Sequence, residues 1–312
     1  MSDPLGTITG GALYDGLPLD ARSPLVLDKP TRDRIVIRDP TSAPLVRRVL
    51  AADELHAWFA APTRFLIALP HGWTAATIDA NLDEDTAWGA FTTRYPALAK
   101  QLQPHADTLR AQPHGAYWWE LPPYPVERFT LPALAWTHDT ALRVAPLPTG
   151  AYLLDGITFT TAPTAYLLGV LGSATLSQAA QANGGAQAER AAHMPIPQAS
   201  SEAQAYIGAL AEQLVAQAST RVALEQMVSA RILHDLAPAG ATAGPVLEQW
   251  WALDFAGLLA ELARRFNSDV PYRYRETWAA WLATQRLAHE GHTTTITRTQ
   301  IELDQYVARL SG

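Results

Sequence analysis

The residue pattern of this chain changes once, near residue 200, and that change limits the folds open to it. From Tyr117 to Phe159, the runs YWWEL, ALAWTH, ALRVAPL, AYLLDG and ITFT alternate with Pro and Gly turns, which is the pattern of short strands. After the break at Met194-Pro195-Ile196-Pro197, residues 201–236, 245–267, 275–289 and 297–310 carry helical periodicity with little strand signal. The fold class read from this is α+β. A mixed β-sheet module with flanking helices occupies residues 1–200, and a mostly α-helical C-terminal module occupies residues 201–312.

Local signals fill in the first module. Leu25-Val26-Leu27 and Ile35-Val36-Ile37 read as short strands among turns. Ser42 offers an N-cap, and Leu45, Val46, Val49, Leu50, Leu55 and Trp58 follow at helical spacing. Arg64–Pro70 (RFLIALP) reads as a buried strand, and residues 75–111 as two or three short helices interrupted by Pro96 and Pro104. Thr164 caps an apolar helix, AYLLGVLGSATLSQAAQA, that stops near Asn183-Gly184-Gly185.

Composition narrows the classes of function. Hydrophobic residues make up 48% of the chain and charged residues 17%, as in ordinary globular proteins, which sets disorder aside. There is no cysteine, so disulfides and thiolate-bound zinc are ruled out. The first residues, MSDPLGTITGG, lack the basic start and apolar run of a signal peptide, and no apolar run approaches the ~20 residues of a membrane span. A cytoplasmic protein without membrane contact is expected.

The net charge of −7 opposes DNA binding by bulk charge. Its distribution is uneven, however. Arg22, Lys29, Arg32, Arg34, Arg38, Arg47 and Arg48 face only Asp28, Asp33 and Asp39 in their stretch of sequence. Nearly all the positive charge is arginine, the side chain best suited to bidentate contacts with guanine or phosphate.

One long word stands out: Arg94–Leu121, RYPALAKQLQPHADTLRAQPHGAYWWEL, a polar helix leading through a Pro-His-Gly turn into an aromatic strand, Tyr117-Trp118-Trp119. It resembles the Tyr-Pro helix and Gly-x-x-Trp strand of the TaqI-like C-terminal specificity domain of N6-adenine DNA methyltransferases and type IIG restriction-modification enzymes. Other segments follow the family in order. Gly6–Asp20 is similar to its Gly-rich entry segment, Arg34–Trp58 to its "DP-S" turn and following helix, and RFLIALP to its next strand. Ala165–Ser173 is similar to its YLLGILNS helix, HMPIP (His193–Pro197) to its Pro-Ile-Pro turn, and Ile301–Gly312 to the ending of its longer members. The resemblance implies a DNA target-recognition module, the specificity part of an adenine-specific methyltransferase in a restriction-modification or phage-defence system. It implies double-stranded DNA and a catalytic methyltransferase domain or subunit as partners, with S-adenosylmethionine held by that partner and no cofactor in this chain.

The departures are informative. Ala51-Ala52-Asp53 stands where the family carries Arg-Gly, and Gly172 stands where Asn is usual. The catalytic half has no counterpart: Leu121-Pro122-Pro123-Tyr124 has the outline of Asn/Asp-Pro-Pro-Tyr/Phe, but Leu cannot accept from an adenine amino group, and the stretch reads as a turn. His289-Glu290-Gly291-His292 has i, i+3 spacing with Gly inside, which fails the i, i+4 pattern of a zinc helix. No metal site and no catalytic residue are expected.

The resemblance implies phosphate positioning by Arg32, Arg34, Arg38, Arg47 and Arg48. Base readout would come from loops of the strand-rich part, with Arg94, Lys100, Arg110, Arg128, Arg143 and the Gln187–Arg190 loop, notably Arg190, as candidates. Tyr117 and Trp119 are candidates either for the core or for a face turned to DNA. The alternative reading is a protein-interaction or DNA-mimic module of a defence complex, suggested by the acidic balance. A contiguous positive face on the first module would separate the two.

Overall fold

Two sheets carry the N-terminal part of the computed structural model, in which residues 7–8, 11–137, 142–182 and 196–311 are described. The five-stranded sheet is antiparallel throughout, in the order β1 (Thr7–Ile8), β2 (Gly11–Asp15), β11 (Ile157–Thr160), β8 (Leu134–Thr137) and β9 (Arg143–Pro146). Its central strands are buried on both faces, and Phe159 lies opposite Ala135 on one side and Tyr14 on the other. The four-stranded sheet is mixed: β10 (Tyr152–Leu153) runs parallel to β4 (Val46–Leu50), while β7 (Arg64–Ile67) and β3 (Val26–Leu27) continue antiparallel. A small pair, β5 (Leu55–His56) and β6 (Phe59–Ala60), completes the strands. The expected α+β class with mixed sheets therefore holds.

The helices of this part are short because Pro and polar caps punctuate them. α2 (Trp73–Thr77), α3 (Glu84–Arg94), α4 (Pro96–Leu102) and α5 (Ala106–Arg110) follow one another, with Pro96 in the first turn of α4. Asp83 caps α3 by accepting from the Thr86 amide at 2.9 Å.

Three local expectations need correction. Ile35-Val36-Ile37 is not a strand but part of helix α1 (Lys29–Arg38). The Asp28 carboxylate accepts from the Thr31 amide at 2.8 Å and Pro30 sits in the first turn, so start signals outweigh the β preference of three branched residues. Conversely, Ser42 does not start a helix. Its hydroxyl donates to Asp39, closing a 3₁₀ turn over Pro40–Leu45, and Val46–Leu50 then enters the sheet as β4. The helix after Thr164 is two helices, α6 (Ala165–Leu171) and α7 (Ala174–Ala182). Ser173 caps the second, its hydroxyl accepting from the Leu176 amide at 3.3 Å.

The break at Gly172 has a partner. A Cβ there would lie 2.1 Å from the Trp58 ring, and Trp58 itself takes a left-handed φ of 69° while only 3% exposed. Only glycine fits at 172, because the Trp58 indole fills the space a side chain would need.

Contacts divide the chain into two compact units, residues 1–208 with 310–312, and residues 209–309. The C-terminal helices are α8 (Ser201–Leu236), α9 (Gly244–Glu248), α10 (Phe255–Phe266) and α11 (Arg275–Ser311). α11 joins the two stretches at 275–289 and 297–310 that read as separate. Across its Thr-rich middle the hydroxyls of Thr293, Thr295 and Thr297 donate to carbonyls one turn back at 2.9–3.0 Å, which keeps these residues compatible with a helix. The second unit's core gathers Val228, Ile232, Leu247, Trp250, Leu258, Leu262, Trp278 and Leu282. Asp254 caps the start of α10 and left-handed Asn267 ends it. Among the described residues no helix is long and apolar enough to cross a membrane.

Candidate nucleic-acid interface

Helix α1 has ten residues, of which Ile35 is the buried one. Two clefts flank it. One, of about 480 Å³, is walled by Thr31, Arg34, Ile35 and Arg38 of α1 and by Pro96, Ala97, Lys100 and Gln101 of α4. The other, of about 420 Å³, is walled by Lys29, Arg32 and Asp33, by Val46, Arg47 and Arg48 of β4, by Phe65, and by the Pro148–Ala151 turn.

The charges of this region are uneven in their pairing. Each acid of the stretch is occupied locally. Asp28 caps α1, and Asp33 pairs with Lys29 at 2.8 Å and Arg32 at 2.9 Å. Asp39 accepts from Thr41 and Ser42. These bonds act on their acidity. Hydrogen bonds from Thr31 lower the Asp28 pKa, and those from Lys29 and Arg32 lower that of Asp33. Burial pushes the Asp39 carboxyl up, but the bonds from Ser42 and Thr41 outweigh it and leave the group below its ordinary value.

The cations are less occupied. Arg34 donates to the Thr31 hydroxyl at 2.9 Å and Arg48 to the Pro62 carbonyl at 3.2 Å. Arg32 and Arg48 lie 5.3 and 5.9 Å from the Phe65 ring centroid. Arg34, Arg38, Arg47, Arg48 and Lys100 are exposed. None of these five has an ion-pair partner among the described residues. The cleft between α1 and α4 is thus lined by three cations and no carboxylate. Such a cleft is a place for an anion.

The remaining sequence candidates do not join this cluster. Arg94 donates to the Thr77 carbonyl at 2.9 Å, and Arg110 pairs with Glu84 at 2.8 Å while lying over Trp118. Arg128 is half-buried, 3.8 Å over the Tyr14 ring. Arg143 is half-buried in β9, and its charge helps Arg64 hold the Asp53 carboxyl below its usual value. Arg190 and the Gln187–Arg190 loop lie outside the described residues.

For Tyr117 and Trp119 the DNA-facing option is corrected. Tyr117 is 8% exposed and Trp119 fully buried, and the stretch is a tight turn rather than a strand. Its backbone contracts because Glu120, fully buried, gathers three amides: Gly72 at 2.9 Å, Thr74 at 2.7 Å and Ala116 at 3.0 Å. The Tyr117 and Trp119 rings stack 4.9 Å apart, and the Trp119 indole donates to the Thr74 hydroxyl at 2.9 Å. Leu121-Pro122-Pro123-Tyr124 is likewise structural. The Leu121 amide donates to the Leu69 carbonyl at 2.7 Å, and the Tyr124 hydroxyl donates to the Asp15 carbonyl. His289 and His292 face different partners, Glu225 at 2.9 Å and Gln217 at 2.8 Å, and His289 stacks on Trp251.

Sequence reasoning found the basic stretch by charge but missed Thr31 and Gln101, uncharged residues of the first cleft, and read the Ile35–Ile37 segment of α1 as a strand. The combination of Asp28 with Pro30 two residues later was the signal for a helix start.

Known proteins resemble this chain in two respects. Residues 200–307 match the model of a domain of unknown function (DUF8810). None of the curated proteins matches the chain in sequence. Among solved structures, the type IIL restriction-modification enzyme MmeI in complex with DNA shares the fold, with a TM-score of 0.51 at 10% identity, and the match covers 100% of this chain and 34% of that one. The chain therefore spans about a third of that enzyme's length.

Proposed function

We propose that this chain recognises a DNA target as the specificity part of an N6-adenine DNA methyltransferase in a restriction-modification system, and that a catalytic partner holding S-adenosylmethionine performs the transfer. The observation that carries this reading is the pair of clefts on either side of α1, where the local acids are neutralised by caps and pairs while Arg34, Arg38, Arg47, Arg48 and Lys100 stay exposed. Charge placement agrees with it. Residues 22–48 sum to +4 (seven cations less three acids), so the rest of the chain carries −11 of the net −7. The ordered resemblance to the TaqI-like specificity domain and the fold shared with a restriction-modification enzyme bound to DNA add support.

In this reading the phosphates of the duplex settle on Arg34, Arg38 and Lys100 on one side and on Arg32, Arg47 and Arg48 on the other. Arg128 and Arg143 remain candidates for base contacts. The test is fluorescence polarisation with mixed-sequence duplexes across a salt series, with and without the cognate catalytic subunit. Binding that weakens as salt rises is expected; absence of binding in both conditions would sink the reading. Incubation of the chain alone with labelled methyl donor and DNA is expected to give no transfer.

The acidic remainder favours a second reading, an interaction or DNA-mimic module. That reading predicts no affinity for duplexes and competition with DNA for a basic protein in the same assay.

A further inference from the structure

The outer crest of α1 carries an isoleucine where a solvated helix would carry a polar residue. Ile37 is 79% exposed. Successive helix residues turn by about 100°, so Ile37 lies about 200° round from buried Ile35, nearly opposite the core. By the same geometry the residues of the first cleft (Thr31, Arg34, Arg38) fall on one flank of this crest and those of the second (Lys29, Arg32) on the other. Asp33, one turn before Ile37, is neutralised by Lys29 and Arg32. The result is an apolar side chain with Arg34 and Arg38 on one flank and, on the other, Lys29 and Arg32 paired with Asp33, beyond which Arg47 and Arg48 of β4 line the second cleft.

We propose that α1 lies along the major groove of duplex DNA, with phosphates of the two strands taken by the two clefts, and that Ile37 reads a thymine methyl at the groove floor. This rests on the DNA-recognition reading above and deepens it by naming a specificity residue. Three features favour duplex DNA as the occupant. A single α-helix fits the major groove. Cations on both flanks of one helix complement two phosphate strands, and the crest between them is apolar, as contact with a C5-methyl group requires. No ion pair has to be broken to free Arg34, Arg38, Arg47 or Lys100 for such contacts.

The test uses the full chain, with its catalytic partner if binding requires it. Duplexes are selected from a randomised pool, and each thymine of the selected site is then replaced in turn by deoxyuridine, which lacks only the methyl group. For the wild type, one replacement should weaken binding by roughly threefold to tenfold. For Ile37→Ala that same replacement should be silent, while the salt dependence stays as in the wild type. Lys100→Ala should do the reverse, flattening the salt dependence and keeping the thymine effect. Because Ile37 is exposed, its substitution leaves the core intact, and circular dichroism checks this. If Ile37→Ala keeps the full thymine effect, or if no thymine matters to the wild type, the inference is overturned while the DNA reading stands. If no duplex is selected at all, the DNA reading itself falls.

Discussion

Helix α1 and the turn at Tyr117–Glu120 hold two of the groups of side chains from which the sequence predicts DNA contacts, and the protein treats them in opposite ways. The turn buries Tyr117, Trp118 and Trp119, and Glu120 locks it by accepting from the Gly72 and Thr74 amides. α1 buries one residue and leaves Arg34, Ile37 and Arg38 in solvent. Both segments are unusual in composition, one aromatic and one basic. What separates them is whether the unusual side chains find partners inside the protein. Large aromatics gain most by packing, whereas a cation without a carboxylate stays available to an outside anion.

The largest effect is expected at the turn. Trp119→Ala removes a fully buried ring that stacks on Tyr117 and meets Trp118 edge-on, so a loss of about 3–5 kcal/mol is expected in denaturant titrations of the chain. A change below about 1 kcal/mol would mean that the aromatic cluster is not core and would reopen a role at the surface.

The counterpart on α1 should leave stability unchanged and alter binding. Arg34→Ala, Arg38→Ala and Lys100→Ala together remove the cations of one cleft. If each meets one phosphate, the slope of log affinity against log salt flattens by roughly 2.7, and affinity near physiological salt falls on the order of 10²-fold. An unchanged slope in polarisation assays would show that phosphates do not bind there. A shifted denaturation midpoint would show that these cations serve the fold.

A subtler substitution compares charge with shape at the turn. Glu120→Gln keeps the volume but turns one acceptor oxygen into a donor facing an amide of Gly72, Thr74 or Ala116. A cost of about 1–3 kcal/mol follows from the amide left without a partner. DNA affinity should be unaffected in the fraction that remains folded.

How far these outcomes could be read from sequence depends on the kind of signal. Strands β7 through β11 were legible because turn residues bracket them, and α3 to α5 because Pro96 and Pro104 interrupt a helical period. The basic stretch was legible because charge is read without a fold. The α1 and β4 segments were not, since Ile35–Ile37 and Val46–Leu50 carry apolar runs too short to fix a period, and the Asp28 and Asp39 side chains decided between helix and strand. Ile37 could not be singled out as exposed while its segment read as a strand. The burial of the aromatic turn depends on Glu120 reaching amides 46 and 48 residues earlier in the chain, a contact that local patterns do not contain.

The smallest expected effect concerns acid, and it sets α1 and its flanking residues apart from the aromatic turn once more. Asp28, Asp33 and Asp39 all titrate below their ordinary values in the folded protein. A carboxyl whose folded pKa lies below its unfolded value contributes stability that is fully present above the unfolded pKa, ~3.9 for Asp, and is lost as pH falls through the folded value. Of the three, Asp39 is the buried one, and it holds the turn that leads from α1 into Arg47 and Arg48. Asp39→Asn should therefore be less stable than the wild type at neutral pH, and the gap should begin to narrow as pH falls below ~3.9 and go on narrowing through the lower folded value, where the wild-type carboxyl becomes neutral as well. Denaturant midpoints of both proteins between pH 7 and pH 3 measure this. A gap that does not narrow at all between pH 7 and pH 3 would place the cost in the shape of the turn, and the charge of Asp39 would then have no part in holding it.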